Sequence, residues 1–113
     1  MLPDRRRTER ERRQTRRVPA VFAVKSTEGH LRLGQAEDIA PSGMTLRWPR
    51  DAAPAPESPM AITFELPGAA GPIAAQATIV NARPAGRFRR TGLRFDALAP
   101  ADAERIADYC QQR

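Results

Sequence analysis

A chain of 113 residues, 41% of them hydrophobic and 28% charged, has room for one soluble domain around one core. No apolar run approaches the ~20 residues of a membrane helix, and Met1-Leu2-Pro3-Asp4-Arg5-Arg6-Arg7 lacks the apolar stretch of a secretory signal. A single cysteine, Cys110, rules out an intrachain disulfide framework and fits a reduced, cytoplasmic setting.

One cysteine and one histidine, His30, leave little for a Cys/His metal site or a histidine-based triad. The net charge of +6 is unevenly spread: residues 1–17 hold eight arginines against three acidic residues, leaving eleven basic and ten acidic residues in 18–113. The chain therefore reads as two parts, a flexible Arg-rich arm over 1–17 and a nearly neutral folded body over 18–113. The arm has no apolar residue after Pro3 and cannot bury a face.

In chain order, Val18-Pro19-Ala20-Val21-Phe22-Ala23-Val24 is a strand pattern with Ala20, Phe22 and Val24 on one side. Thr27-Glu28-Gly29-His30 reads as a turn. Leu31 and Leu33 begin a second strand running towards Asp38-Ile39. Asp38-Ile39-Ala40-Pro41-Ser42-Gly43 reads as a turn built from turn-forming residues. Met44, Leu46 and Trp48 alternate with polar residues as a third strand. Four prolines make 49–59 a loop. Ile62, Phe64 and Leu66 form a fourth strand ended by Pro67-Gly68, and Pro72 to Ala82 holds a fifth. Pro84-Ala85-Gly86 turns the chain into a last strand, Thr91-Gly92-Leu93-Arg94-Phe95, with Leu93 and Phe95 inward. After Pro100, the spacing of Ala103, Ile106, Ala107 and Cys110 predicts a helix. Six short strands and one helix point to an all-β fold, an antiparallel sheet closing into a barrel.

Two constellations could carry chemistry. Arg12-Arg13-Gln14-Thr15-Arg16-Arg17 puts several guanidinium groups where a mobile arm meets a rigid body, suited to a compact dianion or to phosphates with guanine edges. A solvated basic tail is the plainer account of the same run. Asp38 at a strand end could accept from the N–H donors of a guanine, and Gly43 would let a ligand approach the backbone. A simple turn explains the same residues. Trp48 and Tyr109 could stack on a base, but both sit where core packing expects apolar residues. His30 reads as a turn residue and Cys110 as a buried, inert thiol. Ser42 has no evident base or oxyanion partner and is not proposed as a nucleophile. No acid–base pair, metal cluster or Gly-rich phosphate loop is evident, so the chain is not expected to be an enzyme.

Taken together these pieces resemble the PilZ domain, a bacterial receptor module for cyclic di-GMP. That family carries RxxxR just before its first strand, matched here by Arg13-Gln14-Thr15-Arg16-Arg17. Its second motif, [D/N]xSxxG, is matched by Asp38-Ile39-Ala40-Pro41-Ser42-Gly43 at the first and last positions. The strand Gly92-Leu93-Arg94-Phe95 and the terminal helix match the family's ending, so the resemblance covers residues 12–110.

The resemblance implies a six-stranded antiparallel barrel of the split-barrel type with a C-terminal helix. It implies that Arg13 and Arg17 bind phosphates and guanine O6/N7 edges, that Asp38 accepts from a guanine edge, and that Gly43 allows close approach. Arg12, directly before the motif, implies two intercalated cyclic di-GMP molecules per chain. The motif's Ser is Ala40 here, which removes one hydroxyl. Asn81 stands where some members place a stacking aromatic. Ala40, Ser42 and Asn81 are thus additional candidate positions at the edge of the site. The expected role is a non-enzymatic receptor or adaptor, without a cofactor, whose arm closes on the ligand and signals to a separate effector protein. The alternative is a PilZ-like interaction scaffold that binds no nucleotide. The near-neutral body argues against a dedicated nucleic-acid surface.

Overall fold

The computed structural model describes residues 16–26, 31–68 and 71–112. Arg12, Arg13, the turn at Thr27–His30 and most of the arm lie outside the described residues. Six strands follow one another: β1 (Val18–Ser26), β2 (Arg32–Ala40), β3 (Gly43–Pro49), β4 (Pro59–Phe64), β5 (Ile73–Ala85) and β6 (Phe88–Leu98). A short 3₁₀ turn (Arg50–Ala52) follows β3, and α1 (Pro100–Gln111) closes the chain. All pairings are antiparallel, and the order β1-β2-β3-β6-β5-β4 closes on itself as a barrel. Closure runs through the short β1–β4 ladder, Val24↔Phe64 to Ser26↔Ile62, and leaves no free edge along that part of the sheet.

Alternation selects the core. Met44, Leu46 and Trp48 on β3 are fully buried while Thr45 and Arg47 face outward. Val24, Ile39, Ile62, Ile73, Ile79 and Leu93 fill the rest of the interior, so aliphatic side chains carry it. Phe22, Phe64 and Phe95 stack in sequence, with centroids 5.5 and 6.3 Å apart. Phe95 is only half-buried, packing on the core rather than lying within it. Gly34 leaves room for the Trp48 ring, which a Cβ there would approach to 2.9 Å.

Several expected boundaries move, each for a physical reason. Asp38, Ile39 and Ala40 continue β2, and the turn shrinks to Pro41-Ser42, a two-residue hairpin closed by the Ala40↔Gly43 pair. Leu66 is buried but lies two residues beyond the end of β4. Pro84 and Ala85 belong to β5, and the turn is Gly86-Arg87, with Gly86 at the positive φ that tight hairpin turns demand. Proline is tolerated at 84 because the β4 ladder ends at Pro59↔Thr78, leaving the last part of β5 bonded only to β6. β6 is accordingly longer at both ends than residues 91–95. On α1, Pro100 occupies the first turn, Ile106 and Cys110 are buried, and Ala103 is exposed.

Trp48 illustrates how a polar group enters this core without penalty. Its Nε1–H donates to the hydroxyl of Thr91 at 2.8 Å, and both side chains are fully buried. Thr91→Val keeps the shape and removes the acceptor, leaving the indole N–H unsatisfied. We expect a loss of about 2 kcal/mol in urea unfolding, with near-ultraviolet circular dichroism reporting the changed indole environment.

Candidate functional site

The structure brings Arg17 and Asp38 together across twenty-one residues of sequence. Arg17 stands immediately before β1, whose opening residue Val18 pairs with Ile39 of β2. That register places the end of the arm beside Asp38, and the Arg17 guanidinium donates to Asp38 Oδ1. It also reaches the Thr45 hydroxyl at 3.5 Å. The same carboxylate oxygen accepts the backbone N–H of Thr45 at 3.2 Å. Arg17 and Asp38 are both partly open to solvent, so this end of the pair is available to a ligand.

Two β-bulges shape the surface around this pair. One falls in β2 between Ala36 and Asp38, the other in β5 between Ile79 and Asn81. Bulges re-aim side chains, and here each is followed by a polar side chain that binds a neighbouring strand's amide. Asp38 takes Thr45 N–H, and Asn81 Oδ1 takes Gly92 N–H at 3.0 Å. The register joins them into one row across four strands, Asp38↔Thr45↔Gly92↔Asn81. Asn81 therefore lies at the far end of the row from Arg17, exposed and resting over Gly92. Thr45 escaped the sequence reading because it is simply the polar residue between Met44 and Leu46; only the register puts it beside Asp38.

The other candidates sit around the β2–β3 hairpin. Ser42 is exposed at the turn, and its carbonyl accepts Phe95 N–H at 2.9 Å. Ala40 is fully buried. Gly43 is buried against β6: a Cβ at this position would stand 2.0 Å from the Leu93 carbonyl oxygen. Packing of β3 on β6 is thus sufficient reason for a glycine at 43.

Behind the site, the Cys110 thiol of α1 donates to the Ile39 carbonyl at 3.6 Å. Burial pushes this thiol's pKa up, while the positive charges of Arg16 and Arg17 pull it weakly the other way. Val18 pairs with Ile39, whose carbonyl Cys110 reaches, so the start of β1, the end of β2 and α1 meet at one end of the barrel. A raised pKa keeps the thiol protonated and unreactive. Cys110 should resist alkylation at neutral pH in the folded protein and react fully in denaturant. Among the described residues, no group of three or more His, Cys, Asp or Glu is placed to hold a metal ion, and no helix is long and apolar enough to cross a membrane.

A closed six-stranded barrel with an arginine–aspartate pair where the N-terminal segment enters defines a small β-barrel module with a polar outer face at one hairpin. The family model described as PilZ domain matches residues 4–112, and the chain belongs to that family. A search of curated proteins gave no match. Among solved structures, the chain is similar to the Bacillus subtilis inhibitor of motility (MotI/DgrA), with 18% identity and a TM-score of 0.79 over 88% of this chain and 50% of that one. It is also similar to the PilZ domain of YcgR from Escherichia coli with c-di-GMP, with 13% identity and a TM-score of 0.68 over 85% and 86% of the two chains. YcgR in complex with c-di-GMP matches with 14% identity and a TM-score of 0.70, over 85% of this chain and 43% of that one. The chain thus spans about half the length of the Bacillus protein. These likenesses concern the barrel fold.

Proposed function

We propose that the protein is a cytoplasmic, non-enzymatic receptor for cyclic di-GMP that signals to a separate effector protein. The observation that carries this reading is the meeting of Arg17 and Asp38, the last residue of one motif and the first of the other, on the open outer face of the barrel. Family membership supplies the ligand class, and the YcgR structures hold c-di-GMP on the same fold. In this reading Arg12, Arg13 and Arg17 take the phosphates and guanine edges. Asp38 accepts from a guanine Watson–Crick edge, and two ligands stack per chain. Ordering the arm costs roughly 1–2 kcal/mol per fixed residue, and the charge-assisted bonds to phosphate must exceed it.

The test is calorimetric titration of cyclic di-GMP into residues 1–113 with Arg13→Ala as control. Micromolar or tighter binding abolished by the substitution supports the receptor, and the stoichiometry decides between one ligand and two. Absence of heat and of thermal stabilisation at high ligand would leave the fold as an interaction scaffold.

Ala40 gives a second handle. Ala40→Ser restores the motif's hydroxyl at a position with no solvent exposure. In the free protein that hydroxyl has to be desolvated, costing about 1 kcal/mol. If the ligand completes its hydrogen bond, affinity rises about tenfold. Paired measurements of unfolding and binding should therefore move in opposite directions.

A further inference from the structure

The charge of the folded body is close to balanced, yet its arginines are not evenly placed. Arg47 of β3, Arg90 of β6 and Arg83 of β5 stand directly opposite one another in register, forming one row across three strands. Like charges directly opposite in a sheet repel, so this row opposes folding. Arg87 stands beyond the row at the tip of the β5–β6 hairpin, whereas Arg89, opposite Trp48 and Pro84, alternates to the other face and lines a pocket of about 110 Å³ with Arg50, Pro84 and Phe88. Glu37 binds the row through Arg90, whose Nε and Nη2 hold its two oxygens at 2.9 and 3.3 Å. Among the described residues, no carboxylate lies within ion-pairing distance of Arg50, Arg83, Arg87 or Arg89.

We propose that this hairpin face is a docking surface for an acidic segment of a partner protein. The Arg90–Glu37 pair shows the receiving geometry, a guanidinium fork taking both oxygens of one carboxylate. Phe88, 39% exposed beneath the Arg47 guanidinium at 4.6 Å, adds an apolar anchor within the charged ring. The shape does not suit nucleic acid. Three strands at the usual spacing of about 4.8 Å hold the row within roughly 10 Å, too short to follow a phosphate backbone for several steps. One face of the sole exposed aromatic on this hairpin is already covered by Arg47, which removes it as a stacking platform. A membrane surface would want several large apolar side chains beside the charges, and among the described residues of the row Phe88 is a single one, with Arg47 over its ring.

The row lies two residues along from Thr45, Gly92 and Asn81 on the same outer face, so an occupant would adjoin the proposed nucleotide site. The inference itself does not rest on nucleotide binding, and its peptide titration is run without nucleotide. A labelled Glu-rich peptide carrying one Phe is titrated by anisotropy into the full chain at physiological salt. The variant Arg83→Glu/Arg87→Glu should weaken binding about fivefold, the product of two exposed ion pairs of modest strength. The variant Arg5→Glu/Arg6→Glu carries the same charge change and should weaken it far less. Phe88→Ala provides a reading free of charge reversal and should weaken binding several-fold. Equal losses in the two charge-reversed variants, or no loss at the hairpin, would overturn the proposal. So would tighter hairpin-dependent binding of duplex DNA or phosphatidylserine vesicles. A hairpin variant that loses one of two bound cyclic di-GMP molecules would likewise overturn it, because the row would then belong to the nucleotide site.

Discussion

Gly43→Ala should destabilise the barrel by about 3 kcal/mol, lowering the thermal midpoint by about 15 °C for a domain of this size. A Cβ on residue 43 would lie 2.0 Å from the Leu93 carbonyl oxygen, 3.0 Å from its carbon and 3.2 Å from Arg94 Cα. All three are backbone atoms of β6, so no side chain can rotate away. The only relief is to part β3 from β6 at the Gly43↔Arg94 pair, next to the bond from Phe95 N–H to the Ser42 carbonyl. Gly34→Ala offers a graded comparison, because its Cβ meets the Trp48 ring at 2.9 Å rather than a main chain. Urea unfolding of both variants should rank Gly43→Ala as the more damaging. A loss under about 1 kcal/mol at position 43 would mean that the hairpin shifts freely. That result would return the requirement for glycine to ligand approach alone.

This glycine also marks the limit of what sequence could reveal. The strands were legible because burial on one side imposes a two-residue period, as in Met44, Leu46 and Trp48. The helix was legible from Pro100 and from the spacing of Ile106 and Cys110. Nothing local says that residue 43 abuts a carbonyl fifty residues later, since that depends on register and closure. The same holds for Thr45, which only the bulge before Asp38 brings to the site. It holds for the arginine row as well: counted along the chain, residues 18–113 are nearly neutral, and only cross-strand pairing aligns Arg47, Arg90 and Arg83. Turn composition misled at Asp38 and Pro84. Residues that favour turns also serve at strand ends when a two-residue hairpin follows or one ladder edge is free. Arg17 and Asp38 were both named from motif spacing, and their contact was not, because it needs Val18 opposite Ile39.

Arg17→Ala should separate folding from recognition more cleanly than any other substitution in the site. In the free protein the Arg17 side chain is 46% exposed and Asp38 28%, so their pair is screened by water. Exposed pairs contribute about 0–1 kcal/mol, and unfolding should hardly change. In the proposed receptor the same guanidinium makes charge-assisted bonds to phosphate or to the guanine O6/N7 edge of cyclic di-GMP. Losing one or two bonds of about 1.5–3 kcal/mol each predicts affinity weakened by about a hundredfold. Lys25→Ala removes the same unit of charge from the far end of β1 and should leave both quantities nearly unchanged. The two variants and the wild type, each followed by chemical unfolding and by titration, then divide the explanations. Weak binding at wild-type stability in Arg17→Ala alone would assign the arginine to the ligand. Equal weakening in Lys25→Ala would reduce its effect to long-range attraction. A fall in stability matching the loss of binding would make the Arg17–Asp38 contact a brace between the arm's junction and β2, with no direct part in recognition.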